Sequence, residues 1–146
     1  MSQARTNARQ AAVQALYQWQ MTGQTLRLIE IQFSEEEWLK DAQKSYFNEL
    51  LHGVPEHLKV IDETLNQFTD REINLVDPVE RAILRLGTYE LLQRLETPYR
   101  VIINESINLA KTFGADGSHR YINGILDKVA QQIRAVEIKA KAKPAK

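Results

Sequence analysis

The chain contains no cysteine among its 146 residues, which excludes disulfide bonds, cysteine-ligated zinc and thiol catalysis. It has only 6 glycines and 4 prolines, so few positions interrupt its secondary structure and long elements are favoured. No apolar run approaches the roughly 20 residues that cross a membrane. Residues 1–5 open no hydrophobic signal segment. We therefore expect a soluble, cytoplasmic protein with no membrane partner.

The composition that remains is typical of a globular protein. Hydrophobic residues make up 43% and charged residues 26% of the chain, which fits one domain of ordinary size. Lysine alternates with small residues from position 139 onward, and such a low-complexity end is typical of a flexible segment. The sequence predicts a domain over residues 1–138 and a basic, flexible tail over residues 139–146.

The charges balance in number but not in position. There are 19 basic and 19 acidic residues, yet residues 1–29 hold three bases and no acid, residues 30–72 hold 11 acids and 4 bases, and residues 128–146 hold 6 bases and one acid. A local basic patch attracts phosphate even on a neutral protein. Two interpretations of the basic ends stay open, namely phosphate binding and simple solubility.

Apolar residues recur at spacings of three and four through the first half of the chain, which predicts amphipathic helices. Gly23 is typical of a position just after a helix end. Thr25 is a predicted N-cap for a short second helix, and Ser34 for a third. Gly53 is predicted to end the third helix, and Pro55 to begin the fourth, where its missing N–H does no harm.

The second half shows the same helical period. Asp77 followed by Pro78 predicts a helix start, and the next helix begins after Thr97. The sequence Gly-Ala-Asp-Gly at residues 114–117 is the clearest loop, and Ser118 is a predicted cap for the last long helix. No stretch alternates like a strand. The pattern predicts an all-α protein of about seven helices.

Enzyme signatures are absent from the sequence. There is no glycine-rich phosphate loop, no His-Glu-x-x-His helix and no nucleophile elbow. His52, His57 and His119 are scattered, and although His52 and His57 flank a predicted helix break, separate surface positions are favoured over a shared site. The consecutive residues Glu35–Glu37 point about 100° apart on a helix, so favourable contact with the helix dipole explains them better than a metal does. We expect no enzymatic activity, cofactor, metal or small-molecule substrate.

A first candidate binding surface lies on the first helix. Arg5 and Arg9 are four residues apart and share a face, and Val13 and Tyr17 continue the line. Two guanidinium groups beside an exposed ring suit the phosphates and bases of single-stranded nucleic acid. The same line also suits a partner-helix face with Tyr17 half-buried, and spacing alone favours this second interpretation.

A second candidate surface is the start of the last long helix. The N-terminus of a helix presents free N–H groups and positive potential to anions, and Arg120 and Tyr121 add a charge and a ring there. The alternative is an ordinary capped helix whose Tyr121 packs into the core. Neither surface is specific by itself.

Four sequence blocks together are more specific. They are AVQALY at residues 12–17, RLGTYEL at residues 85–91, PYRVIINE at residues 98–105, and Phe113-Gly114 leading to YINGILD at residues 121–127. In this order, over residues 5 to about 134, they resemble the NusB family of bacterial transcription antitermination factors. The resemblance implies an all-α fold of two packed three-helix bundles.

The resemblance also implies a function. Members of this family bind the boxA element of nascent RNA together with NusE, a small-subunit ribosomal protein. The complex joins other Nus factors on RNA polymerase and suppresses premature, mainly Rho-dependent, termination in ribosomal RNA operons. Monomer and homodimer both remain open, since some members self-associate. The alternative function is a helical protein-interaction module without intrinsic RNA specificity.

The resemblance carries over to specific residues. For RNA it implies Arg5, Arg9, Tyr17, Arg120 and Tyr121, although the N-terminal arginine segment is thinner here and Tyr121 stands where the family usually has Phe. Gly117 replaces a loop residue that is often acidic in relatives, which favours RNA binding if the loop faces phosphate.

For NusE the resemblance implies Tyr17, Glu80, Arg81 and Arg85. A solvated helix face is the alternative for Arg81. Asn104 and Glu105 form an unusual pair of polar residues, because Asn is a poor choice for a helix interior. We expect them to form a polar network that joins helices.

Overall fold

The structure is a computed structural model that describes residues 3–35 and 41–142. Within these ranges it contains eight α-helices, one 3₁₀ turn and no strand, so the predicted all-α class is confirmed. The helices are α1 (Gln3–Thr22), α2 (Leu26–Ser34), α3 (Asp41–Glu56), α4 (Leu58–Asn66), α5 (Pro78–Gln93), α6 (Tyr99–Phe113), α7 (Ser118–Ile133) and α8 (Ala135–Ala142), and the 3₁₀ turn is Ile73–Leu75 between α4 and α5.

Three of the predicted helix boundaries are confirmed by their local geometry. Gly23 follows α1 with φ of +69°, a backbone conformation that glycine adopts without strain. Thr25 is the N-cap of α2, and its hydroxyl accepts a hydrogen bond from the first turn. Asp77 caps α5, where its Oδ2 accepts from the N–H groups of Val79 and Glu80 at 3.1 Å each.

The predicted break at Gly53 and Pro55 is wrong, because α3 continues through both residues to Glu56. A Cβ atom on Gly53 would lie 2.5 Å from Cζ of Tyr89. The glycine therefore serves the close approach of α3 to α5 rather than a helix end. Pro55 lies in the last turn of α3, where its ring removes a single backbone hydrogen bond.

The predicted cap at Ser34 is also wrong. Ser34 is the last residue of α2, and its hydroxyl donates to the carbonyl of Ile31 at 2.8 Å. Glu35 is the C-cap of α2 and so lies at the negative end of a helix dipole. The other two glutamates of this run fall within residues 36–40, outside the described ranges.

The helices form the two bundles that the resemblance implies. α1, α2 and α3 pack together in the N-terminal half, and α5, α6 and α7 pack together in the C-terminal half. α5 also contacts α1, α3 and α4, and every residue from 82 to 91 is buried. α5 is therefore the central helix. Its first turn lies at the surface that contains the candidate interface.

Arg134 holds the end of the C-terminal bundle. It lies between α7 and α8, is 4% exposed, and its Nη1 lies 2.6 Å from Oε1 of Glu137. Its guanidinium also donates to four backbone carbonyls, those of Glu90, Leu91, Arg94 and Thr97. These carbonyls lie at and beyond the C-terminus of α5. Those of Glu90 and Arg94 also accept a backbone N–H, whereas Arg134 supplies the donor for those of Leu91 and Thr97.

The C-terminal segment differs in part from the predicted tail. α8 extends through Ala142 and so includes the first four residues of the segment 139–146. Residues 143–146 lie outside the described ranges. Among the residues that the structure describes, no helix combines the length and the hydropathy needed to cross a membrane.

Candidate RNA and partner interface

Arg9 lies in the protein interior and not on the exposed face predicted with Arg5 and Tyr17. It is 2% exposed. Its Nε lies 2.8 Å from Oε1 of Glu90, and its Nη1 lies 2.8 Å from Oε1 of Glu105. The predicted exposure of Arg9 is therefore wrong, and an RNA phosphate cannot reach this guanidinium without opening the core.

Two hydroxyl groups complete the network around Arg9. Tyr46 on α3 donates to Glu90, and Thr6 on α1 donates to Oε1 of Glu105 at 2.6 Å. Burial raises the pKa of the Tyr46 hydroxyl, and the charge of Glu90 raises it further. Burial alone lowers the pKa of Arg9, but its contacts with Glu90 outweigh this and raise the pKa above its ordinary value. Tyr46 therefore stays protonated and Arg9 stays charged.

The predicted structural role of residues 104 and 105 is half correct. Glu105 is 5% exposed and belongs to the network with Arg9 that joins α1 to α6, which confirms the prediction for this residue. Asn104 is exposed to solvent and takes no part in that network. The prediction for Asn104 is wrong because its position on α6 faces away from the bundle.

Arg5 is half-buried at the edge of the same network. Its guanidinium carbon lies 5.1 Å from the centroid of the Tyr46 ring, a cation–π distance. The guanidinium groups of Arg9 and Arg94 also lie within 5.6 Å of this ring. Arg5 is thus more accessible than the buried Arg9, and its RNA contact stays a prediction.

Tyr17 borders a groove on the described surface. The side chain is 39% exposed, and the groove beside it holds about 570 Å³ between α1, α2, and the ends of α5 and α6. None of the described residues that line it is charged; they are Val13, Gln14, Tyr17, Gln18, Met21, Thr22, Gln32, Phe33, Val79 and Phe113. Rings beside carboxamide groups suit an uncharged, flat, hydrogen-bonding group such as a nucleobase.

Sequence analysis missed the carboxamides of this groove. Gln18 donates from Nε2 to Oε1 of Gln32 at 3.0 Å and to Oε1 of Gln24 at 2.6 Å. Gln14 and Gln18 are four residues apart on α1, so their common face beside Tyr17 was a readable signal. The contribution of Gln32 and Phe113 was not readable, since both come from distant parts of the chain.

Tyr121 lies at the start of α7 beside an acidic cavity of about 350 Å³. Four carboxylate residues line this cavity, namely Asp70, Asp77, Glu80 and Asp116. The Tyr121 hydroxyl donates to Oδ1 of Asp70 at 3.3 Å, and burial together with Asp70 raises the pKa of that hydroxyl. Arg71 also lines the cavity but is paired with Asp70 at 2.9 Å, so the remaining carboxylates make the cavity unfavourable for a phosphate.

The start of α7 also differs from its predicted cap. Gly117 is the N-cap, with φ of +81°, and Ser118 is the first helical residue. The Ser118 hydroxyl donates to Oε2 of Glu80 at 2.7 Å and so ties α7 to α5. Arg120 is exposed on the outer face of α7, and its RNA contact stays a prediction.

The residues predicted for NusE divide between surface and interior. Glu80 is half-buried, and its neighbour Val79 lines the Tyr17 groove, so the groove and the acidic cavity meet at the start of α5. Arg85 is 5% exposed. Its guanidinium is occupied by Asp62 at 2.8 and 2.9 Å, Gln20 at 3.0 Å and Asn74 at 3.2 Å. These bonds occupy the Arg85 guanidinium inside the protein, and its partner contact stays a prediction.

Arg81 is half-buried on its helix face. Its Nη1 donates to the carbonyl of Asn74 at 2.7 Å. Burial lowers the pKa of Arg81, and the nearby positive charge of Arg85 lowers it further. Its partner contact stays a prediction.

The histidines pair with separate groups rather than with a common ion. Nε2 of His52 lies 2.5 Å from Oε1 of Glu30, and Nδ1 of His57 lies 2.9 Å from the carbonyl of Gly53. Among residues 3–35 and 41–142, no cluster of three or more His, Asp or Glu side chains is arranged to hold a metal.

The fold and these surfaces can be compared with known proteins. A solved structure of T. maritima NusB has a TM-score of 0.81 and 31% identity, covering 90% of this chain and 94% of that one. A crystal structure of the antitermination factors NusB and NusE with double-stranded RNA matches with a TM-score of 0.82. That match, at 23% identity over 90% of this chain and 99% of the other, shows a shared fold.

The sequence comparisons give the family. The transcription antitermination protein NusB of Nitrosococcus oceani is 55% identical over 142 residues, which cover 97% of this chain and 95% of that protein. The corresponding protein of Pseudomonas fluorescens (strain Pf0-1) is 50% identical over 139 residues, covering 95% and 84%. The NusB family model matches residues 6–131. This chain, with its two helical bundles joined through α5, therefore belongs to the NusB family of transcription antitermination proteins.

Proposed function

We propose that this NusB-family protein binds boxA RNA together with NusE and helps RNA polymerase to avoid premature, Rho-dependent termination in ribosomal RNA operons. Its membership in the family supports the antitermination role. The related structure that holds NusB, NusE and RNA in one complex supports both partners. Other Nus factors and RNA polymerase are engaged indirectly, through the assembled complex in the cytoplasm.

The observation that carries this proposal is the uncharged groove beside Tyr17. Single-stranded RNA is recognised by stacking its bases on aromatic rings and by hydrogen bonds to their edges. Tyr17, Phe33 and Phe113 supply rings to the groove, and Gln14 and Gln18 supply amides. The described lining residues carry no charge, which suits a base rather than a phosphate.

The structure leads us to revise the set of RNA-contacting residues. We assign Tyr17 and Tyr121 to base contacts, and Arg5 and Arg120 to phosphates. The four carboxylates near Tyr121 keep the phosphates on the outer side of that ring, where Arg120 is exposed. Arg9 is left out, because its guanidinium is buried and paired.

The NusE surface begins where α1 and α5 meet. We assign Tyr17, Glu80 and Arg81 to this contact and leave out Arg85, which is occupied inside the protein. Because Tyr17 borders both proposed surfaces, NusE that is bound there extends the RNA site. Binding of one partner then raises the affinity for the other, and this coupling is reciprocal.

A titration of labelled boxA RNA tests the proposal. The protein is titrated alone and with NusE, against a scrambled RNA of equal length, at two salt concentrations. We expect a preference for boxA that NusE strengthens, with a salt slope of about −1.4 if two arginines contact phosphate on single-stranded RNA. Normal NusE binding without any boxA preference would instead favour a helical protein-interaction module.

A further inference from the structure

A second cavity opens on the side of α5 next to the proposed NusE contacts. It holds about 280 Å³, and its walls come from α1, α4, α5 and the 3₁₀ turn. Trp19 and Leu58 give it apolar walls, whereas Arg81 and Arg85 give it two guanidinium groups. Gly23 at its edge has no side chain, and a Cβ atom there would meet nothing within 4 Å, so the opening is unobstructed on that side.

The two arginines of this cavity differ in what they can still bind. Arg85 forms a two-point ion pair with Asp62 and further hydrogen bonds with Gln20 and Asn74. Arg81 has one hydrogen bond, from Nη1 to the carbonyl of Asn74. Its Nε is buried and has no partner among the described residues, where Arg81 also has no ion pair. Its Nε is therefore unsatisfied, and the neighbouring Nη2 donates to none of the described residues.

The unsatisfied edge of Arg81 has the geometry that binds one particular chemical group. The Nε and Nη2 groups of a guanidinium point in parallel and match the two oxygens of a carboxylate. A buried N–H without a partner is unfavourable, and a ligand that accepts from it removes that penalty. The described lining residues include two arginines and no acid, and the nearby Asp62 is already paired with Arg85.

We infer that this cavity binds the carboxylate of an acidic side chain on the protein partner, with Arg81 as the specificity-determining residue. The apolar part of the incoming residue packs on Trp19 and Leu58. This inference rests on the proposed function, because it identifies the chemistry by which NusE contacts α5. It assigns to NusE an Asp or Glu whose carboxylate becomes buried in the complex.

An RNA phosphate does not fit this cavity equally well. RNA brings a series of negative charges, whereas only one guanidinium here is unpaired. Asp62 and Asp77 act on Arg81 from α4 and the α5 cap, and α4 belongs to the strongly acidic segment of residues 30–72. A single carboxylate beside an apolar group is therefore favoured over a polyanion.

NMR of the arginine side chains tests the inference directly. The Nε–Hε signals of ¹⁵N-labelled protein are recorded while unlabelled NusE is added, and the Arg81 signal is assigned by its loss in Arg81→Lys. We expect the Arg81 Hε signal to move downfield and to exchange more slowly with water in the complex. The Arg85 signal serves as an internal control, because its Nε already donates to Asp62.

Affinity measurements give the second test. Arg81→Met keeps the aliphatic stem and removes the charge, and we expect it to weaken NusE binding by about 30-fold or more, as for loss of one partner of a buried charge pair. Arg81→Lys keeps the charge without the two-point geometry, and its affinity for NusE should fall between those of wild type and Arg81→Met. Arg100→Met, at an exposed arginine on α6, is the matched control and should change the affinity less than twofold.

The outcomes separate this inference from the proposed function. Wild-type NusE affinity for Arg81→Met with an unmoved Arg81 signal would overturn the carboxylate site and leave the NusE partnership standing. Failure of the wild-type protein to bind NusE at all would contradict the proposed function, and this inference with it. Thermal melting of Arg81→Met shows whether the variant is folded. Whether or not it folds, the NMR titration of the wild-type protein tests carboxylate binding by Arg81.

Discussion

The guanidinium of Arg9 on α1 contacts Glu90 on α5 and Glu105 on α6, each at 2.8 Å. One side chain of the N-terminal bundle is thereby paired with two helices of the C-terminal bundle. The hydroxyls of Tyr46 and Thr6 donate to the same carboxylates. This buried polar contact fixes how the two bundles pack. Arg9, which the resemblance assigns to RNA binding, therefore has a structural role here.

We predict that Arg9→Met lowers the free energy of unfolding by about 3–5 kcal/mol, because both carboxylates lose their buried counter-charge. Urea denaturation measures this change. Arg5→Met is the matched control, since Arg5 is half-buried and adds a cation–π contact, and we expect it to cost about 1 kcal/mol or less. A stable Arg9→Met protein with reduced RNA affinity would restore the original prediction that Arg9 contacts phosphate.

We predict that Arg134→Met destabilises the C-terminal bundle by about 3 kcal/mol or more. The substitution removes a charged donor from four backbone carbonyls. Those of Glu90 and Arg94 keep a backbone N–H donor, whereas those of Leu91 and Thr97 become unpaired, at about 1–3 kcal/mol for each buried acceptor. Lys128→Met on the exposed face of α7 is the control and should change stability by less than about 0.5 kcal/mol. Equal melting temperatures for the two variants would refute this role of Arg134.

We predict opposite signs for two glycine substitutions. Gly53→Ala should destabilise the protein by about 1–3 kcal/mol, because the new Cβ would overlap the Tyr89 ring at 2.5 Å. Gly124→Ala should stabilise it by about 0.5–1 kcal/mol, because that Cβ meets nothing within 4 Å on an exposed turn of α7. Calorimetry on the two variants checks both. A stabilised Gly53→Ala protein would contradict the close packing of α3 on α5.

The limits of sequence analysis follow from where each signal originates. Asp77 and Pro78 act on the helix that directly follows them. The start of α5 can therefore be predicted from the neighbouring sequence alone, and the structure confirms it. Gly53 is compatible with two local structures, a helix end or a close approach of two helices. Only the contact with Tyr89, which is distant in sequence, decides between them. Local signals therefore predicted the helices well, and failed where a distant element determines the conformation.

The same reasoning explains the candidate site. The position of Val13 four residues after Arg9 in an apolar helix pattern already hinted that Arg9 faces inward. Its carboxylate partners lie 81 and 96 residues away in the chain, and no spacing rule connects them. Tyr17 could be predicted as a surface ring from its helix face, whereas the groove beside it could not, since four helices contribute to it.

We predict that Tyr121→Ala weakens binding of boxA RNA by about 1–3 kcal/mol, the usual contribution of a ring that stacks on a base. Tyr121→Phe keeps the ring and loses only the contact with Asp70, so its RNA affinity should stay within about twofold of wild type. Filter binding or fluorescence anisotropy measures both. A lower melting temperature of Tyr121→Ala at constant affinity per folded molecule would assign the ring to packing alone.

The most direct test of the proposed RNA surface is the boxA affinity of Tyr17→Ala at saturating NusE, with Tyr17→Phe as the ring-preserving control. Saturation with NusE removes any loss that comes from weaker partner binding. We predict that Tyr17→Ala loses about 1–3 kcal/mol of RNA binding and that Tyr17→Phe stays close to wild type. Wild-type boxA affinity for Tyr17→Ala would contradict the assignment of the groove to RNA.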